Sequence, residues 1–238
     1  MTRRSIQGVR AVGEALDAGA PVRLVLAERE PDAEVAALVE RAEGLGIPLW
    51  RGSEGDLRRM GRNGAPPRIL AMLGPPPVGC LEALLAGDGL VWVLAGTTMP
   101  SNAGFAIRTA EVSGAAGIII DAQFSRAERS RAEHVSMGAH RLLPVLWESA
   151  ERAVQVARET GRRVVVVEDV GTRRPWEVDL VRRPLVILGC ERTGVPDAIL
   201  CEADATVSIP MGGFVPSYNL QAAMSMMVGE ALRQGRGR

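Results

Sequence analysis

The feature that most constrains this chain is an alternation that begins near Leu90. The runs "LVWVLA" (90–95), "GIIID" (117–121), "LPVLW" (143–147), "RRVVVVED" (162–169) and "PLVILG" (184–189) are short and continuously apolar at their centres. The first is a continuous apolar run, the sign of a strand buried on both faces, and the others read as strands that continue the pattern. Between them lie segments of helical period, one opening at Asn102 and another from Glu148. Strand and helix in strict turn predict an α/β fold, a parallel sheet with helices on both faces. Aromatic residues make up only 3% of a chain that is 47% hydrophobic, so the core has to be aliphatic.

The first 73 residues alternate in a similar way. "GVRAVGEALDAG" is amphipathic, "VRLVLA" is a short strand, and "PDAEVAALVERAEGLG" carries an Asp N-cap and a Gly stop. "IPLW" and "RILAML" read as further strands. "GPPPVG" (Gly74–Gly79) cannot continue a helix or a central strand and marks a boundary. The expected organisation is a small α/β domain over 1–74, a linker over 75–87 and a larger domain over 88–238. The chain ends in a strand, a glycine turn at Gly212–Gly213 and a long helix.

Several chemistries are excluded. Every basic side chain is Arg and Lys is absent, so neither a Schiff-base nor a phosphate-loop lysine exists. No G-x-G-x-x-G follows any strand, which leaves a conventional dinucleotide fold unsupported. Cys80, Cys190 and Cys201 are scattered and, with His134 and His140, lack metal-site spacing, so no metal is expected. Sparse free thiols, no apolar signal core and no run of membrane-span length predict a cytoplasmic protein with no membrane partner. The formal net charge is zero, so any nucleic-acid contact has to be local.

In parallel sheets, ligands sit beyond the carboxyl ends of the strands. Three segments there are unusual. "TTMPSNAGFAIR" places Asn102 at a helix start and Arg108 one turn in; a cap at Asn102 and an Arg108–Glu111 surface pair would also account for them. "ILGCERTGVP" sets Glu191 just past a strand, although an ordinary polar loop reads the same way. "SIPMGGFVPSYNLQ" presents an apolar wall and then Ser217, a plausible N-cap of the last helix.

Taken in order, these blocks resemble the three motifs of the SpoU/TrmH family of RNA ribose 2′-O-methyltransferases, within the SPOUT superfamily. Asn102-x-Gly104-x-x-x-Arg108-Thr109-Ala110 is similar to the first, Leu188-Gly189-x-Glu191-x-x-Gly194 to the second, and Ile209-Pro210-Met211-x-Gly213-x-Val215-x-Ser217-x-Asn219 to the third. The resemblance covers residue 88 to the C-terminus, and the preceding part is similar in pattern to the small RNA-binding domain of many family members. It departs at Tyr218, where the family usually has Leu, and at Cys190, Arg192 and Thr193.

The resemblance implies a parallel sheet with a C-terminal deep trefoil knot. It implies a pocket for S-adenosyl-L-methionine walled by Gly189, Ile209, Met211 and Tyr218. Arg108, Asn102, Glu191, Ser217 and Asn219 would form the catalytic set. An arginine holds its proton at ordinary pH, so Arg108 is expected to act as a cation rather than a base. A homodimer through the knot and the C-terminal helix is implied, and the stripe Ala222, Met226, Gly229 and Leu232 fits one.

The RNA partner, ribosomal or transfer, would meet Arg126, Arg129, Arg131 and Arg141 beyond a strand end, with Arg3, Arg4 and Arg10 as a second patch. DNA is not expected. Two alternatives stay open: an RNA-binding module of the same fold without transfer activity, and an unknotted nucleotide-dependent α/β transferase.

Overall fold

The computed structural model describes residues 5–61, 65–74, 77, 79–190 and 193–236. The chain forms two compact units that divide between Pro76 and Pro77.

The first unit is a four-stranded sheet with helices. In chain order it holds β1 (Ser5–Gln7), α1 (Val9–Asp17), β2 (Val22–Glu28), α2 (Ala33–Gly44), β3 (Leu49–Gly52), α3 (Glu54–Met60) and β4 (Ile69–Leu73). The sheet order is β1-β4-β2-β3. β2 and β3 run parallel, while β4 is antiparallel to both β1 and β2. Asp32 caps α2 by accepting from the Val35 amide at 3.1 Å, as the sequence predicted. The strand at Ser5–Gln7 was not expected: three residues carry too little pattern to be read, and pairing with β4 creates it.

The second unit contains α4 (Leu81–Ala86), β5 (Val91–Ala95), α5 (Pro100–Ser113), β6 (Gly117–Asp121), α6 (Arg126–Val135), β7 (Val145–Leu146) and α7 (Ala150–Glu159). It continues with β8 (Arg163–Val167), β9 (Pro184–Gly189), α8 (Asp197–Cys201), β10 (Ala205–Val207) and α9 (Leu220–Arg236). The sheet order is β10-β8-β9-β5-β6-β7, and all five pairings are parallel. The expected linker over 75–87 is therefore too long. Leu81, Leu84 and Leu85 are buried and seat α4 on the second core.

The apolar runs work as the alternation argument requires. Trp92 and Leu94 of β5 enter one core, with α5, α6 and α9, while Val91, Val93 and Ala95 enter the other, with α4 and α7. β6, β8 and β9 split in the same way. Each fully buried aliphatic side chain is worth about 1.5–3 kcal/mol relative to exposure, so a run that feeds two cores has no place at a wet face.

Beyond β8 the chain runs close to β10. A Cβ on Gly171 would lie 2.8 Å from the Val207 nitrogen. Arg173 N–H donates to Thr206 O at 3.1 Å, and Ser208 N–H donates to Arg173 O at 2.8 Å. At the far end of α9, Gln234 accepts from the Leu180 amide through Oε1 and donates to Val178 O through Nε2, both at 2.9 Å. No helix among the described residues is long and apolar enough to cross a membrane.

Candidate active site

The carboxyl ends of β8 and β9 and the exit of β10 enclose a cavity of about 320 Å³. Its walls are Val167–Asp169, Leu188–Cys190, Gly194, Ile209, Met211, Pro216–Tyr218, Leu220 and Ala223. Two glycines give it its shape. A Cβ on Gly189 would sit 2.6 Å from the Val195 nitrogen, so only glycine lets β9 pass this turn. Gly194 takes a φ of 66° and faces the Glu168 carboxylate, whose Oε2 accepts from the Val195 amide at 2.9 Å.

The third wall is pinned differently from expectation. Asn219, not Ser217, stands immediately before α9, and its Oδ1 accepts from the Gln221 amide at 2.9 Å. Ser217 is exposed at the cavity lip, and Tyr218 Oη donates to Pro210 O at 3.1 Å. That bond folds the Pro216–Asn219 segment back over the end of the strand. The phenol thus has a structural partner that a leucine could not supply.

The Arg108 helix also starts one turn earlier than expected. Met99 is the N-cap residue of α5 and Pro100 follows inside the first turn, so Asn102 is not a cap. Asn102 is buried, and its Nδ2 lies 3.8 Å from Met99 Sδ. Gly104 lets α6 approach: a Cβ there would meet Ala132 O at 2.5 Å. Arg108 is exposed, and among the described residues it has neither a hydrogen bond nor an ion pair. The alternative Arg108–Glu111 pair is not formed. The next residue, Thr109, accepts from Gln221 Nε2 at 2.7 Å, which ties the Arg108 helix to the first turn of α9.

The second and third blocks thus share one cavity, and the first is bonded to the third. Glu191, with Arg3, Arg4 and Arg192, lies outside the described residues. Glu168, Asp169 and Gln221 carry no weight in the motif reading, and Thr109 enters it only as a neighbour of Arg108. The first two could have been found, because "ED" closes the apolar run of β8 where ligands gather. The arginines differ in their surroundings. Arg126, Arg131 and Arg141 are exposed, whereas half-buried Arg129 lies over Trp147. Arg10, in the first unit, is paired with Glu14 at 2.8 Å.

The sequence profile of the SpoU rRNA Methylase family matches residues 89–229, well over half of the chain. The chain belongs to this family. Its curated relatives include the 23S rRNA (guanosine-2′-O-)-methyltransferase RlmB of Pseudomonas aeruginosa, 29% identical over 96% of this chain and 96% of the relative. Another is the 23S rRNA (uridine(2479)-2′-O)-methyltransferase of Streptomyces viridochromogenes, 27% identical over 96% of this chain and 82% of the relative. Among solved structures, the SpoU methyltransferase AviRb from Streptomyces viridochromogenes in complex with AdoMet superposes with a TM-score of 0.61. It is 26% identical over 98% of this chain and 91% of that one. The SpoU resemblance carried by the three motifs is the family that these comparisons return, and an α/β fold with a parallel sheet is common to both.

Proposed function

We propose that this SpoU family member transfers a methyl group from S-adenosyl-L-methionine to a ribose 2′-hydroxyl of ribosomal RNA. The observation that carries the reading is the convergence just described: two motifs wall one cavity, and the Thr109–Gln221 bond brings the third alongside. The names of the relatives point to ribosomal rather than transfer RNA.

The cavity fits an adenosyl ligand. About 320 Å³ lies within the ~300–1,000 Å³ usual for small-molecule sites. Leu188, Ile209, Met211 and Leu220 offer apolar surface for a flat ring, and the missing Cβ of Gly189 leaves backbone open to it. Glu168 and Asp169 add carboxylates that can accept from hydroxyl or amino groups. S-Adenosyl-L-methionine, when bound there, supplies a methyl group already activated on sulfur.

What remains for the protein is positioning and charge. Holding the acceptor oxygen in line can supply on the order of 7–11 kcal/mol of the barrier. Exposed Arg108 is free to fork onto an RNA phosphate or to stabilise the developing ribose oxyanion. Asn102 supports the first turn beneath it, Glu191 is assigned to hold Arg108 or Asn102, Ser217 lies at the lip of the cavity, and Asn219 fixes the start of α9 beside it. Arg126, Arg131 and Arg141 are assigned to RNA phosphates, and the first unit, with Arg10, to RNA binding.

We also assign a trefoil knot and a homodimer. The close run of Gly171–Arg173 along β10, with Gln234 bonded to Val178 and Leu180, supports a tail drawn through a loop. Met226 and Leu232 on α9, with Phe105 and Val112 on α5, are exposed apolar groups on two helices packed on each other, which supports a second copy there.

Titration calorimetry with S-adenosylhomocysteine, and mapping of ribose methylation in cells with and without the protein, test the reading. No binding together with an unchanged methylation map refutes it. For Arg108→Lys, loss of a donor needed only in the transition state predicts a rate roughly 10²–10³-fold lower. Full recovery as pH rises would overturn the cation role in favour of a base.

A further inference from the structure

A second cavity, of about 510 Å³, opens at the carboxyl ends of β6 and β7. Its lining includes Asp121, Gln123, Phe124, Arg129, Trp147 and Glu148. The Arg129 guanidinium carbon lies 4.9 Å from the Trp147 ring centroid, and the Phe124 ring packs against Trp147 at 5.9 Å with a 58° tilt. Arg129 Nε is buried and has no hydrogen-bond partner among the described residues. A buried donor left unsatisfied is costly, and a water or a ligand acceptor can complete it. On the same lining, Asp121 Oδ2 accepts from the Ala150 amide at 3.1 Å, and among the described residues no donor meets Oδ1. Glu148 is exposed and likewise unpaired among them.

This set is wrong for a phosphate, since two carboxylates line the cavity beside one guanidinium. It suits a flat ring that carries both donors and acceptors on its edge. Unstacked RNA bases rest on aromatic rings and Arg guanidinium planes. Guanine meets Arg through O6 and N7 and offers N1–H and the 2-amino group to carboxylates. We infer that this cavity is a nucleobase pocket that takes an unpaired guanine of the RNA, within one nucleotide of the ribose that is methylated. The inference rests on the methyltransferase reading above. The placement follows from register: Ala95 pairs with Gly189 of the first cavity on one side and with Asp121 of the second on the other. The two walls are therefore two strand spacings apart, about 10 Å.

The test uses the full chain at one fixed ionic strength and uridine hexamers carrying a single guanosine, inosine or adenosine, with binding read by fluorescence anisotropy. Guanosine binds roughly tenfold or more tightly than adenosine, and inosine, which lacks the 2-amino donor, falls between them. Asp121→Asn keeps an oxygen for the Ala150 amide but turns the free position into a donor, and Glu148→Gln neutralises the second acceptor. Each variant brings the guanosine preference down to about twofold or less, and the inosine comparison on the unaltered chain reads the pocket even if a variant fails to fold. Affinity for S-adenosylhomocysteine, measured on the same samples, stays at the wild-type value. Equal binding of the guanosine and adenosine hexamers with that affinity intact overturns the pocket and leaves the enzyme reading standing. So does a preference that survives both substitutions. A wild-type chain that binds neither S-adenosylhomocysteine nor RNA overturns both.

Discussion

Arg162 is 2% exposed, and among the described residues no carboxylate is bonded to it. Its guanidinium donates instead to backbone carbonyls: Nε to Leu85 O at 2.8 Å, Nη1 to Gly89 O at 2.7 Å and Nη2 to Gly87 O at 2.6 Å, with longer contacts to Leu84 O and Pro184 O. It thereby gathers the end of α4 and the starts of β5 and β9 onto one planar fork. Burial, with the like charge of Arg183 beside it, pushes its pKa down to about 10. A drop of that size corresponds to an unfavourable contribution of about 3 kcal/mol. Hydrogen bonds to a charged group are worth about 1.5–3 kcal/mol each, so three short ones outweigh it by roughly 3 kcal/mol. Arg162→Met keeps the stem and removes the fork, and it strands those carbonyls away from water. The expected loss of about 3 kcal/mol lowers the unfolding midpoint by roughly 6–12 °C for a chain of this size. Calorimetric or circular-dichroism melting reads this directly. Arg162→Lys recovers less than half, because the three donors of an ammonium share one nitrogen and cannot span carbonyls that the fork reaches from three separate nitrogens. A methionine variant that melts within about 2 °C of wild type, where only about 1 kcal/mol or less has been lost, would refute the reasoning.

Gly104→Ala drives a methyl group into Ala132 O and Val135, 2.5 and 2.6 Å away, and overpacking of this kind costs about 1–3 kcal/mol. Thermal melting checks it, and an unchanged midpoint would mean that α6 shifts freely. Gly189→Ala meets backbone rather than a movable side chain, so it deforms the cavity wall and abolishes S-adenosylhomocysteine binding in calorimetry. Asp204 accepts from the Val164 amide and from Arg158, both at 2.7 Å. Burial raises its pKa, but these donors outweigh that, and the carboxyl titrates below the usual range. The sign is that of an acid favoured when ionised: its contribution is complete above the unfolded value near 3.9 and is lost as pH falls through the lower folded value. At a partly exposed site this amounts to about 1 kcal/mol, so Asp204→Asn should differ from wild type at pH 7 and converge with it near pH 2 in urea titrations.

The larger sheet was legible because its strands are buried on both faces, and "GIIID" and "PLVILG" match β6 and β9 residue for residue. The edge strand β1 was not: it holds three residues and exists only through its partner, whereas "LPVLW" was read as a strand of which β7 keeps only Val145–Leu146. Caps were misjudged where two candidates competed. Asn102 lost to a start at Met99 because Pro100 is pre-set for the first turn, and Ser217 lost to Asn219, two residues nearer α9. The polar residues of the motifs were readable as a set. The Thr109–Gln221 bond that joins two of them spans 112 residues and leaves no local pattern.

Since every basic side chain in this protein is an arginine, residue type says nothing about role, and the partners decide it. Arg162 sits at the amino ends of the strands, buried among carbonyls, where the fold needs one rigid cation. Arg108 sits beyond their carboxyl ends, exposed and without a partner among the described residues, on a helix anchored by Gly104 and Thr109 rather than by its own charge. A side chain that satisfies nothing in the fold can change without cost to it. Arg108→Lys should therefore leave the melting midpoint and S-adenosylhomocysteine affinity at wild-type values while methyl transfer collapses. Arg162→Met should lower the midpoint yet bind the same ligand normally well below it. If the two variants exchanged these behaviours, the division between holding the sheet together at one end and acting on RNA at the other would be wrong.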